Sequence, residues 1–177
     1  MAARTILALL LTLPAAGPAA AAQLQSEAGG GRVDVTYVDP ADFTDARLRG
    51  GHGPDALAPA LDGLRIHLEA LGGRFLPPGQ VLEVEVLDLD LAGRIEPWHL
   101  RAHDVRFMRD ITWPRISLRY RLREDGTLLR QAEEEVRDMS YLTGPAWRYR
   151  SRPMPFEKFM LDRWFHSRFV EDRPPPA

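Results

Sequence analysis

Five aspartates carry the most chemistry in this sequence. Asp39, Asp42 and Asp45 follow one alternating apolar segment, and Asp88 and Asp90 end another. If those segments are neighbouring parallel strands, all five carboxylates gather at the C-terminal end of the pair, where open sheets hold ligands. Clustered carboxylates suit calcium or, with one pKa raised, the paired acid–base work of a hydrolase. The same residues also have structural uses. Aspartate makes turns, which fits Asp39 and Asp42; Asp45 can cap a local element, and Asp88 and Asp90 form the polar half of a strand. A second set is basic. Arg115, Arg119 and Arg121 alternate along one segment, with Trp113 just before it. Guanidinium groups pair with carboxylates in a fork geometry, and arginine and aromatic residues are enriched at binding hot spots. This set marks a partner-binding surface or an ordinary solvated sheet face.

Other chemistries lack their parts. His99 and His103 are four apart, a spacing that puts two zinc ligands on one helical face. The glutamate that follows the first histidine of a zinc peptidase is missing, and no third ligand follows from spacing. They read as surface histidines. None of Ser26, Ser117, Ser140, Ser151 and Ser167 sits in a Gly-x-Ser-x-Gly turn. Gly29-Gly30-Gly31 precedes no helix and reads as linker rather than phosphate loop. Without cysteine there are no disulfides, thiolate metal sites or thiol nucleophile. No cofactor is expected.

The elements that must position these residues follow from periodicity. Val33, Val35 and Tyr37 alternate with polar residues as a half-buried strand that Asp39-Pro40 ends. Leu57, Leu61, Leu64, Leu68 and Leu71 form one helical stripe, with Pro59 tolerable only in the first turn and Gly72-Gly73 expected to stop the helix. Leu82, Val84 and Val86 alternate in a second strand. The phase then slips to Leu87, Leu89 and Leu91, which predicts a bulge at Val86-Leu87 with Leu82, Val84, Leu87 and Leu89 all buried. Residues 94–104 read as a loop or short helix, and Val105 to Met108 as a short strand. Ile116, Leu118, Tyr120 and Leu122 mark the clearest strand. Glu124-Asp125-Gly126 is expected as a three-residue hairpin loop leading to a partner over Leu128 to Val136. In that register Arg115 faces Glu135, and Arg119 lies diagonal to Glu133. Residues 156–169 close the chain as a helix with Met160, Leu161, Trp164 and Phe165 inward. One crossover helix between the first two long strands makes them parallel, and alternation in every strand leaves one sheet face unburied. The expected architecture is α+β: two layers, a mixed sheet of four to five strands with two helices packed on one face.

The first residues have the three parts of an export signal. Arg4 is followed by a short apolar run, Ile6 to Leu13, then by Pro14, Gly17-Pro18 and small residues at Ala20-Ala21-Ala22. Residues 1–22 are read as a signal peptide cut after Ala22, 23–32 as a flexible lead-in, 33–170 as a single domain and 171–177 as a disordered tail. The apolar run falls short of the roughly 20 residues that span a bilayer, so no membrane span is expected after cleavage. The location is then periplasmic or secreted. Arg4 is the one charged residue before the cut, so the net charge moves only from −2 to −3. That near-neutral balance argues against nucleic acid as a partner. Of the 23 basic residues only Lys158 is lysine, which reads as coding bias rather than as a basic motif.

The order of several motifs carries a resemblance. Val33-Asp34-Val35 precedes Asp39-Pro40 and Phe43-Thr44-Asp45; Leu76-Pro77-Pro78-Gly79-Gln80 and Asp88-Leu89-Asp90-Leu91-Ala92-Gly93 follow. Trp113-Pro114-Arg115-Ile116, Asp138-Met139-Ser140-Tyr141, Phe156-Glu157-Lys158 and Trp164 complete the series. With these the chain resembles the secreted bacterial family catalogued as domain of unknown function 3016. The resemblance implies a secreted or periplasmic protein with no established activity and brings no catalytic residues. Two functions stay open: a non-enzymatic envelope protein that binds a protein or cell-wall partner, and a hydrolase or calcium-dependent protein built on the acidic cluster.

Overall fold

Alternation of Val33, Val35 and Tyr37 with polar residues makes the first strand, β1 (Arg32–Tyr37). A computed structural model of the chain describes residues 30–51, 53–96, 98, 105–149 and 152–172. Next come α1 (Ala58–Phe75), β2 (Gln80–Asp90) and the short strands β3 (Arg94–Ile95) and β4 (Arg106–Phe107). β5 (Arg115–Glu124), β6 (Thr127–Arg137) and α2 (Pro155–His166) follow, and α2 runs on into a π turn at Ser167–Glu171. The main sheet has the order β1-β2-β5-β6, with β1 parallel to β2 and the remaining neighbours antiparallel. β3 and β4 pair with each other in a separate ladder. The fold is α+β, a four-stranded mixed sheet with two helices packed against it.

The leucine stripe of α1 does what its spacing predicts. Leu57, Leu64, Leu68 and Leu71 are buried and Leu61 is half-buried, with Pro59 in the first turn. The expected stop at Gly72-Gly73 is wrong: the helix continues to Phe75 and ends before Pro77-Pro78. Gly72 serves packing instead. A Cβ there would stand 2.3 Å from Cγ2 of Val33, so glycine is what lets α1 lie directly on β1.

Between the layers, Leu82, Val84, Val86 and Leu89 of β2 meet Ile116, Leu118, Tyr120 and Leu122 of β5 under the helices. α2 adds Met160, Leu161, Trp164 and Phe165. Tyr120, Trp164 and Phe169 stack edge to face with centroids 5.2–5.9 Å apart. Burying one such large side chain contributes about 1.5–3 kcal/mol. Phe156 stands outside this stripe and packs on Tyr141.

The phase slip in β2 is a bulge. Val86 pairs with Leu118 and Asp88 with Ser117, so Leu87 is the unpaired extra residue. Leu82, Val84 and Leu89 are buried as expected, but Leu87 is half-exposed, because the inserted residue is the one the core does not take. The β5–β6 hairpin also departs from expectation. Its loop has two residues, not three: Glu124 pairs with Thr127 across Asp125-Gly126, both at positive φ (48° and 83°). That is the twist-matched primed turn of a tight hairpin. A second bulge between Leu122 and Arg123 shifts the register, so Arg115 faces Arg137, Ser117 faces Glu135 and Arg119 faces Glu133 directly.

Candidate functional site

The chain leaves β1 at Val38, whose amide still donates to the Val86 carbonyl at 3.0 Å. A 3-10 turn over Pro40–Asp42 carries it outward, and it returns beside β2 at Asp45. There the Asp45 amide donates to the Leu89 carbonyl at 3.0 Å, and its carbonyl accepts from the Leu91 amide at 2.9 Å. This return covers the end of β2 and explains why Asp90, on the polar side of the sheet, is buried.

Asp90 is held from two sides. Arg94 donates to its two oxygens at 2.6 and 3.1 Å, and Arg115 donates to Oδ2 at 2.6 Å. Burial pushes the Asp90 carboxyl up, but the hydrogen bonds from Arg94 and Arg115 outweigh it and leave its pKa below the ordinary 3.8. The bond to Asp90 in turn raises the Arg94 guanidinium. Asp45 receives Arg106 at 2.9 Å and Arg94 at 3.4 Å. Arg106 is itself buried and also donates to the carbonyls of Arg47, Leu91, Ala92 and Gly93. Below this network Glu157, from the first turn of α2, accepts the Ala92 amide at 2.7 Å. Burial raises the pKa of Glu157 above its ordinary value, and the amide bonds offset only part of that.

Of the five aspartates the structure therefore joins two, Asp45 and Asp90. Asp88 is nearby in the chain but binds the Thr44 amide at 2.7 Å and its hydroxyl at 2.8 Å, tying down the excursion. Asp39, in a left-handed conformation, starts the 3-10 turn, and its carbonyl accepts the Asp42 amide. Among the described residues no three metal-ligating side chains converge. The oxygens of Asp45 and Asp90 point at arginines, so a cation would have to displace guanidinium groups. His99 and His103 lie outside the described residues, as do 1–29, Ser151 and 173–177.

The basic set divides. Arg115 belongs to the Asp90 network, with Trp113 half-buried two residues before it. Arg119 and Arg121 stand on the face opposite the helices. Arg119 reaches Glu85 and Glu133, both at 2.9 Å. Arg121 reaches Glu85 at 3.3 Å and Glu83 at 3.7 Å, and Arg123 reaches Glu83 at 3.2 Å. The result is a ladder of alternating charge across β2, β5 and β6 with Ser117 on the same face. Each exposed pair contributes about 0–1 kcal/mol, so the ladder orders side chains more than it stabilises the fold.

Sequence reasoning missed Arg94, Arg106 and Glu157. Arg94 had a local signal: it lies four residues after Asp90, across the Gly93 turn. Arg106 and Glu157 had none, because they reach Asp45 and Ala92 over 61 and 65 residues of chain.

A family model described as "Protein of unknown function (DUF3016)" matches residues 31–167, which span the sheet, both helices and the charge network. Neither a curated protein nor a solved structure matches the chain.

Proposed function

The chain belongs to the DUF3016 family, and we propose that it is an exported, non-catalytic accessory protein of the cell envelope that binds a protein or cell-wall partner on the face of its sheet opposite the helices. One observation carries this reading. Both helices pack on the same face of a four-stranded sheet, and the other face presents an ordered Arg–Glu ladder. Guanidinium groups already held by carboxylates lose little freedom when a partner docks, which lowers the ordering cost of association. Arginine also suits a partner that offers its own carboxylates or carbonyls. The acidic cluster is read as architecture, since Asp45 and Asp90 are committed to Arg94, Arg106 and Arg115.

Site-specific photocrosslinking in the producing cell tests this. A photoreactive residue at position 117, in the middle of the open face, is expected to trap a discrete partner. The same residue at position 65, on the exposed side of α1 among Asp62 and Glu69, is expected to trap none. Equal products at both positions, or none at 117, would overturn the proposal.

A further inference from the structure

The geometry points to a second binding site, on the helical layer, for a small organic anion with a flat apolar body of the aromatic carboxylate class. A groove of about 310 Å³ runs between the last turn of α1, α2 and the 3-10 turn Ala146–Tyr149. That volume is near the lower bound of about 300 Å³ for ligand pockets and suits a single ring with a short substituent. Phe75, Phe159 and Tyr149 provide half-exposed rings on its walls. Arg74 lies over the Phe75 ring at 4.8 Å, and Arg163 over the Phe159 ring at 6.0 Å.

Arg74 and Arg163 differ from the arginines of the sheet and of the Asp90 network. On the sheet and in the Asp90 network guanidinium groups are matched with carboxylates. Arg74 and Arg163 are exposed and, among the described residues, stack on rings with no carboxylate in range. The one acid lining the groove, Asp162, is already engaged. His67 donates from Nε2 to Asp162 Oδ1 at 2.9 Å, and the Tyr149 hydroxyl donates to Oδ2. Nε2 also faces the Lys158 carbonyl at 3.2 Å; two acceptors at one nitrogen place the proton there. Asp162 thus fixes the Tyr149 wall, and among the described residues no carboxylate pairs with either guanidinium group. Aromatic walls under stacked arginines recognise a carboxylate attached to a ring: the rings take the body, and the forks take the charge.

Binding can be read by amide chemical-shift changes on the full mature chain, with benzoate and phenylacetate as probes against benzamide, phenylacetamide and inorganic phosphate. The acids are expected to shift residues around Arg74, Tyr149 and Arg163 at millimolar concentration. The neutral amides should bind about tenfold more weakly, and phosphate, lacking a ring, should leave the groove unshifted. Arg74→Gln with Arg163→Gln, both at exposed positions, should abolish the acid preference while the rest of the spectrum stays unchanged. Equal binding of acids and amides, phosphate binding as tight as benzoate, or undiminished acid binding by the double variant would each overturn the assignment. The acid–amide comparison is made on the unaltered protein, so it decides the matter even if the double variant fails to fold.

Discussion

Glu157 is a carboxyl group with almost no water, 2% exposed, and the bonds that reach it come from backbone amides, that of Ala92 and its own. A neutral amide offsets less of the desolvation cost than a guanidinium would, so the charged form is disfavoured and the pKa rises. The linkage has a definite sign. A raised folded-state pKa gives stability that is complete below the ordinary value of 4.5 and lost as pH climbs through the folded value. Asp90 has the opposite sign: its lowered pKa gives stability present above 3.8 and lost as pH falls through the folded value. Glu157→Gln keeps an oxygen for the Ala92 amide and removes the titration. Urea unfolding from pH 4 to 8 should therefore show variant and parent equal at the acid end. The variant should gain with pH at no more than about 1.4 kcal/mol per unit. A variant less stable than the parent at pH 8 would sink this account. Glu157→Ala should instead start about 1–3 kcal/mol below the parent at pH 4, because it strands the amide, and the gap should narrow as pH rises, because alanine does not titrate. Nothing in Phe156-Glu157-Lys158 announces this burial. It arises where the loop after β2 meets the start of α2, a meeting that local periodicity does not encode.

At the level of elements, periodicity was legible wherever a segment's neighbours are its own residues. The leucine stripe, the alternation of β5 and the phase slip of β2 each depend on which face a segment turns to the core, and each appears in the structure. Gly72-Gly73 shows where this kind of reading ends. Glycine serves both as a helix terminator and as a point of close approach. Only the presence of Val33 across the gap decides between them. Gly72→Ala places a methyl group 2.3 Å from Cγ2 of Val33, and overpacking of this kind costs about 1–3 kcal/mol. Val33→Ala alone should cost about 1–3 kcal/mol as a cavity. Because the two sites touch, the losses should not add: the double variant should be more stable than their sum by at least about 0.5 kcal/mol. Thermal melts of the four proteins measure this coupling. Additive losses would mean that α1 and β1 do not meet at Gly72. The hairpin loop differs from expectation for a local reason: Asp125 takes a left-handed φ of 48° beside Gly126, so the turn closes in two residues rather than three.

For the molecule as a whole, the two-layer plan was legible because every strand alternates, whereas the side chains that meet at the sheet's end were not, because they arrive from four separate segments. The same plan bears on export. The folded part is already tightly packed at its first described residues: the Gly31 amide donates to the Leu76 carbonyl at 2.8 Å, and a Cβ on Gly31 would stand 2.5 Å from Cβ of Leu76. A cut after Ala22 therefore falls upstream of the first described residues. Two outcomes are expected together. Intact-mass analysis of the periplasmic fraction should find a chain starting at Gln23, as the small residues Ala20 and Ala22 require for peptidase recognition. A version made in the cytoplasm without residues 1–22 should melt at the same temperature as the exported protein. Recovery of a chain that keeps Met1, or of the protein in the cytoplasm alone, would overturn the export reading. A lower melting temperature for the shortened chain would show that the exported protein keeps residues which the shortened one lacks, and would count against the cut after Ala22.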